Sequence, residues 1–270
     1  MGEGCAVWLY AVIRDDLRER LPSARGVAGE RVRTVVEGNL AAVVGSVGQR
    51  DFAAEQLARN LEDLDWLAGA ARAHDAVVAA AAACGPVVPV RLATMFGHDD
   101  AVRGLLAARR EDFRATLDSL AGRSEWGVKA YLDPDEPVNA ASAHSGPALS
   151  HGAAESAPGG TGSAYLLRRR AELAARRSAE NSARDWAQQM HERLRRVSTA
   201  SRLLRAQDPK LSGHKAWMVL NAAYLVDEDR VERFRAVVEE LIGWQPGLDV
   251  ELTGPWPPYS FAVSAGVRDG

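Results

Sequence analysis

The sequence contains only two cysteines, Cys5 and Cys84, among 270 residues. Two cysteines are too few for a disulfide framework, and both lie in apolar segments where we expect reduced, buried thiols. The amino-terminal Met-Gly-Glu-Gly lacks the basic region that marks a signal peptide. The longest apolar run, residues 76–84, is far shorter than the ~20 residues that cross a bilayer. These absences indicate a soluble, cytoplasmic protein that does not enter a membrane.

Motifs for catalysis and metal binding are also missing. None of the six histidines lies four residues from another, and neither cysteine belongs to a Cys-x-x-Cys pair. The sequence has no P-loop, no nucleophile elbow and no His-Glu-x-x-His motif. The net charge of −3 gives no general attraction to nucleic acid or to anionic membranes. We therefore predict no metal ion, no cofactor and no catalytic residue.

The first part of the chain, residues 1–122, has the pattern of an α+β domain. Strand-forming residues dominate positions 6–13, and the nearly continuous hydrophobicity of this run predicts a central strand. Two further β-like runs, 31–36 and 40–47, are separated by a short segment that contains Gly38 and Asn39. This spacing predicts a β-hairpin.

Helices and one more strand complete this first domain. Apolar spacings of three and four residues predict helices between 52 and 84 and from 99 to 120. A strand is predicted at 87–96, and Pro89 places it at a sheet edge or a bulge. Arg91 lies among apolar neighbours in this strand, so it predicts a salt bridge or, as an alternative, a residue that binds a ligand.

The second part, residues 123–270, alternates strands and helices. Strands are predicted at 125–132, 215–226 and 248–253, with a long helix at 165–206 and a shorter helix at 229–242. A segment rich in Ala, Ser and Gly, residues 134–163, interrupts this order as a flexible insertion. The resulting βαβαβ order predicts an open α+β sandwich of ferredoxin-like kind. We therefore expect two α+β domains.

The long helix is predicted to have an apolar seam and a basic surface. Residues spaced three and four apart from Ala179 to Leu204 predict the seam. Eleven arginines, among them Arg168, Arg169 and Arg170, outnumber four acidic residues between positions 165 and 205. Three interpretations stay open, namely a solvated face with acidic partners one turn away, docking to an acidic protein, and a nucleic-acid-binding regulator.

A stretch near the end of the chain, residues 250–261, is the most distinctive segment. Its three prolines keep the backbone extended after the last strand, and it carries Trp256, Tyr259 and Phe261. Such rings pack on the protein or contact a partner. Because the stretch follows the last predicted strand, we expect Trp256 and Phe261 to pack on the second domain and Tyr259 to be more exposed.

Several blocks of this sequence resemble the gas vesicle protein F/L family. The most specific block is Leu-Thr-Gly-Pro-Trp-Pro-Pro-Tyr-Ser-Phe at 252–261, and weaker blocks are Tyr-Leu-Leu-Arg-Arg-Arg at 165–170 and Asn-Ala-Ala-Tyr-Leu-Val at 221–226. The resemblance covers the whole chain except the insertion. Two departures, Arg91-Leu92-Ala93-Thr94 and the long insertion, bear on the choice between F and L types.

The resemblance implies a role in gas vesicle formation without enzymatic activity. Its fold would be two α+β domains, the second a modified ferredoxin-like domain with one long helix. The expected partners are the hydrophobic shell subunit and other gas vesicle accessory proteins, contacted through Arg91, Arg168–Arg170, Trp256, Tyr259 and Phe261. The remaining alternatives are a nucleic-acid-binding regulator that uses the helix at 165–205 and an enzyme with a pocket near Arg91.

Overall fold

The computed structural model contains two antiparallel sheets with helices, which confirms the α+β class. It describes residues 5–48, 52–133, 161–205 and 216–262. Two units form, one from Met1–Glu125 together with Gly254–Gly270 and the other from Trp126–Thr253. The segment that begins at Gly254 therefore joins the first unit, whereas the sequence-based division into 1–122 and 123–270 places it in the second domain.

The first unit is built around one sheet. Its strands are β1 (Cys5–Arg14), β2 (Arg33–Glu37), β3 (Leu40–Gly48), β4 (Val87–Pro89) and β5 (Met95–Phe96). The strand order is β2-β3-β1-β4, and β5 also pairs with β1. Every residue of β1 from Ala6 to Ile13 is buried, because neighbours cover both edges and both faces of this strand. The prediction of a central first strand is confirmed.

The predicted hairpin is present between β2 and β3. Glu37 pairs with Leu40, and the turn between them places Gly38 at a φ of 60°, a left-handed conformation that glycine adopts without strain. The short loop and the glycine therefore determine the pairing register, as expected from sequence.

The helices of this unit are α1 (Ala54–Glu62), α2 (Leu64–Ala82), α3 (Asp99–Ala108) and α4 (Arg110–Leu120). The stretch predicted as one helix from 99 to 120 divides at Arg109, whose φ of −117° and ψ of 25° are not helical. A second division occurs at Asp63, whose carboxylate accepts hydrogen bonds from the amides of Asp65 and Trp66 and so begins α2.

The predicted strand at 87–96 is wrong as a continuous element. It divides into β4 and β5 because the chain bends after Pro89. Ala93 has a φ of 64°, and the hydroxyl of Thr94 donates to the carbonyl oxygen of Arg91 at 2.8 Å. A left-handed residue and a local side-chain bond favour a turn over a ladder at this point.

The second unit contains a four-stranded sheet and two helices. These elements are β6 (Arg123–Leu132), α5 (Thr161–Arg195), β7 (Ala200–Leu203), β8 (Trp217–Asp227), α6 (Val231–Leu241) and β9 (Leu248–Trp256). The first three residues of β6 and the last three of β9 are assigned to the first unit. The strand order is β7-β8-β6-β9. Most of the predicted insertion, residues 134–160, lies outside the described residues.

The long helix ends earlier than the sequence predicts. The apolar spacing predicts a helix that reaches residue 206, but α5 stops at Arg195 and residues 200–203 form β7, which pairs with β8. The amide of Thr199 already donates to the carbonyl oxygen of Leu225 at 2.8 Å. Pairing with β8, about twenty positions later in the chain, thus overrides a helical apolar spacing that continues through Ser201 and Leu204.

The core of the second unit lies between its two helices and one face of its sheet. Met190, Leu194 and Val197 form the buried end of the predicted seam, and they belong to one apolar cluster with Tyr224 and Phe234. This part of the seam prediction is confirmed, and the part beyond Val197 is wrong.

A buried polar contact lies within the first unit. The indole Nε1 of Trp8 donates to Nδ1 of His74 at 3.1 Å, and Nε2 of His74 lies 2.9 Å from the carbonyl oxygen of Val90. The carbonyl oxygen of Val90 can only accept, so Nε2 of His74 carries a proton. Nδ1 accepts from Trp8 and therefore carries none, so the His74 ring is neutral. Burial lowers the pKa of His74 below its ordinary value.

This contact predicts a pH dependence of stability. Because the unfolded chain binds a proton at His74 near pH 6.5 and the folded chain does so only at lower pH, the unfolding free energy should fall as the pH drops below about 6.5. The slope for one proton is at most about 1.4 kcal/mol per pH unit. Urea unfolding between pH 7.5 and pH 5 would measure it.

The matched control is His74→Gln, since glutamine can accept from Trp8 and donate to Val90 without titrating. We expect the stability difference between the wild-type protein and this variant to shrink as the pH falls. A difference that stays constant with pH would contradict the assignment.

Candidate partner-binding surfaces

The carboxy-terminal segment is anchored to the first unit by two polar contacts. The hydroxyl of Tyr259 donates to Asp75 at 2.7 Å. Both the amide and the hydroxyl of Ser260 donate to the carboxylate of Glu125, at 2.8 and 2.6 Å. Glu125 is buried, so its charge needs these donors. Burial, and then the bond to Asp75, raises the pKa of Tyr259 above its ordinary value.

The aromatic residues of this segment are not arranged as expected. Tyr259 packs against the core of the first unit, and Phe261 is half-buried. Trp256, by contrast, keeps 52% of its surface exposed. The expectation that Trp256 packs and Tyr259 is exposed is therefore wrong. The reason is that Asp75 and Glu125 hold Tyr259 and Ser260, and neither acid is adjacent to them in sequence.

The amino-terminal half of α5 carries a second surface, which we call the leucine–arginine surface. Four large apolar side chains on it are between 46% and 65% exposed, namely Tyr165, Leu166, Leu167 and Leu173. Arg169, Arg170 and Arg177 are exposed beside them, whereas the side chain of Arg168 lies outside the described residues. A surface that mixes leucines with arginines suits a partner that offers both apolar and acidic groups.

The predicted seam does not include these four apolar residues, although Tyr165, Leu166 and Leu167 belong to the block at 165–170. A signal for them exists, because three consecutive apolar residues on a helix point in directions 100° apart and cannot all face one core. The core-facing seam begins only near Ala183, which is buried. Tyr165, Leu166 and Leu167 therefore had to leave at least one apolar side chain in solvent.

Arg91 lies in the bend between β4 and β5 and is exposed. Its neighbours Val90 and Leu92 are buried or partly buried, but β4 ends at Pro89 and the side chain of Arg91 itself is exposed. Arg91, Trp256, Tyr259 and Phe261 belong to the first unit, and Arg168–Arg170 belong to the second. The predicted contact residues are thus divided between two units.

Two further observations limit the chemistry of the described residues. No helix among them is long and apolar enough to cross a membrane. Their histidines, cysteines and acids form no cluster of three that could hold a metal ion.

Comparison with known proteins gives a consistent result. The model of the family "Gas vesicle synthesis protein GvpL/GvpF" matches residues 6–263. The chain is 42% identical to gas vesicle protein L of Streptomyces sp. strain CB03234, over 94% of this chain and 92% of that protein. It is 30% identical to gas vesicle protein F of the same strain, over 95% and 99% of the two chains.

Solved structures share the fold at low sequence identity. The crystal structure of gas vesicle protein GvpF from Anabaena sp. PCC7120 superposes with a TM-score of 0.68 at 18% identity and covers 96% of both chains. GvpF from Microcystis aeruginosa gives 0.61 at 15% identity, over 96% of this chain and 99% of that one. The α+β architecture with two antiparallel sheets is therefore a GvpF-like fold.

The carboxy-terminal anchors predict unequal effects of substitution. Glu125→Ala should lower the unfolding free energy by about 1–3 kcal/mol, because both donors of Ser260 lose a charged acceptor. Trp256→Ala should change it by less than about 1 kcal/mol, because half of the indole already contacts solvent. Chemical denaturation of the two variants tests this order. A larger loss for Trp256→Ala would show that its indole is buried after all.

Proposed function

The chain belongs to the GvpL/GvpF family of gas vesicle synthesis proteins, and we propose that it binds the hydrophobic shell subunit during gas vesicle formation. The family is one of structural and accessory proteins and not of enzymes. The higher identity to protein L than to protein F of one Streptomyces strain supports an L-type role. In this proposal the protein works at the growing gas vesicle, together with other accessory proteins.

The observation that carries the proposal is the leucine–arginine surface. Burying a leucine side chain in an interface contributes about 1.5–3 kcal/mol relative to leaving it in water. Leu166, Leu167 and Leu173 are each at least 46% exposed, so they keep much of this contribution for a partner. Exposed leucines promote aggregation in a protein that acts alone, whereas in a protein that associates they contribute free energy of binding.

The chemistry of this surface suits a hydrophobic shell protein. Free shell subunits expose apolar surface and would aggregate, so a partner that covers this surface keeps them available for ordered addition. Arg169, Arg170 and Arg177 surround the leucines with positive charge, which favours partners with acidic groups beside their apolar surface. The same charge limits self-association of the exposed leucines.

Trp256 and Arg91 are candidate additional contacts on the first unit. An exposed tryptophan offers a large apolar area together with a hydrogen-bond donor, and such residues are frequent at the centres of interfaces. Three residues further along the chain, the hydroxyl of Tyr259 donates to Asp75 and its ring packs on the core of the first unit.

For the second unit we further propose a modified ferredoxin-like fold. The element order β6-α5-β7-β8-α6-β9 and the strand order β7-β8-β6-β9 support this arrangement. The modification is the length of α5, whose amino-terminal half carries the leucine–arginine surface.

Co-expression with the shell subunit tests the main proposal. We expect the tagged protein to retain the shell subunit in a pull-down, and the double variant Leu166→Ser/Leu173→Ser to retain at least tenfold less. Arg169→Glu/Arg170→Glu should also weaken retention, and this effect should decrease with added salt. If both variants retain the shell subunit as the wild-type protein does, the leucine–arginine surface is not the contact.

Leu64→Ser is the matched control, because Leu64 is a helical leucine of the first unit with 78% of its surface exposed. It should leave retention unchanged. Circular dichroism of all variants separates loss of binding from loss of folding. Strong retention of the protein on DNA that falls steeply as salt is added, with no retention of the shell subunit, would favour the nucleic-acid-binding alternative instead. Elution from DNA already at low salt would dismiss that alternative.

A further inference from the structure

Strand β7 lies at an open edge of the sheet in the second unit. The strand order is β7-β8-β6-β9, so β8 covers one side of β7 and, among the described residues, no strand covers the other. The amide of Leu204 donates to the carbonyl oxygen of Asn221 at 2.8 Å, towards β8. Along an antiparallel strand, the N–H and C=O groups of successive residues point alternately to one edge and to the other. The backbone groups of Ser201 and Leu203 therefore point away from β8, to the open side.

A groove accompanies this open edge. It has a volume of about 500 Å³ and lies between the end of α5, at His191 and Arg195, and the strand residues Ser201 and Leu203. Leu203 pairs with Ala222 of the apolar core, so its side chain lies on the helix-facing side of the sheet. It is nevertheless 66% exposed, because nothing described lies beside it at the edge.

The surroundings of the edge are basic. Residues 191–205 contain five arginines and one acid, Glu192. Glu192 pairs with Arg195 at 3.0 Å, and Arg193 stacks on the indole of Trp244. The exposed side chains of Arg196, Arg202 and Arg205 add positive charge on either side of the edge.

We propose that β7 binds an extended acidic segment of another protein by strand addition. The backbone of that segment pairs with Ser201 and Leu203, and its apolar side chains enter the groove beside Leu203. Its acidic side chains alternate with these on the opposite face, where Arg202 lies. Charge disfavours a second copy of this chain as the occupant, because pairing two β7 strands brings two basic edges together.

The inference is independent of the leucine–arginine surface and of the proposed function. A peptide can bind β7 whether or not the protein retains the shell subunit. If the protein retains the shell subunit but binds no peptide, only the inference about β7 fails. If it binds the peptide but does not retain the shell subunit, only the proposed function fails.

Fluorescence anisotropy with a defined probe tests the inference. The probe is the labelled peptide Thr-Val-Glu-Val-Glu-Val-Thr, titrated with the full chain at low salt. We expect saturable binding that weakens at least tenfold when lysine replaces both glutamates of the peptide. Absence of binding by the acidic peptide would overturn the inference, as would equal binding of the two peptides.

Backbone pairing is tested by removing single amides. Leu203→Pro removes an outward N–H and should weaken binding at least tenfold, whereas Leu203→Ala keeps it and should weaken binding only about threefold. Peptides can instead be N-methylated on alternate amides, so that either one edge or the other edge of the bound strand loses its N–H groups; this test leaves the protein intact. One methylated peptide should bind at least tenfold more weakly and the other should not, because only one edge of the peptide pairs with β7. Equal effects of the two sets would overturn the inference.

Self-association is measured by analytical ultracentrifugation under the same conditions. A monomer that binds the acidic peptide supports the inference. A dimer that Leu203→Pro dissociates, with no peptide binding, would assign the edge to a second copy and overturn it.

Discussion

The mismatch between the length of α5 and the length of its sheet shapes the second unit. Helix α5 has 35 residues and therefore extends about 50 Å, whereas the 11 residues of β8 extend about 37 Å. The helix is thus longer than the layer it packs on by about 15 Å, or roughly ten residues. Met190 and Leu194 occupy the packed end, so the excess falls on the amino-terminal half.

The excess length explains why this half of the helix has a different composition. The part of α5 that extends beyond the sheet has no strand to pack on, so an apolar stripe there would bury no surface within the unit. An isolated helix of roughly ten residues is only marginally stable in water. Tyr165, Leu166, Leu167 and Leu173 are nevertheless apolar and exposed. The exposed arginines beside them keep this part of the helix hydrated. This composition, with exposed leucines beside arginines, fits the proposed contact with a partner.

Sequence patterns predicted the elements whose signals are local. The hydrophobic run of β1, the short turn at Gly38 and the seam around Met190 each lie within one element or one loop, and each was correctly placed. The end of α5 was not, because Ser201 and Leu204 continue the helical spacing of three and four residues. Only pairing with β8, through Leu225 and Asn221, makes this segment a strand. A four-residue strand is too short for its own periodicity to decide.

The carboxy-terminal segment shows the same limit for the candidate site. Its prolines and aromatics marked it as important, but they do not say which ring is covered. Asp75 and Glu125 decide this, and they lie 184 and 135 positions before the residues they hold. Polar anchors so distant in sequence leave no local pattern. These anchors hold the chain at Tyr259 and Ser260, three and four residues after the exposed Trp256. In the proposed function, an exposed ring beside an anchored segment would lose less conformational entropy on binding than a ring on a free chain end.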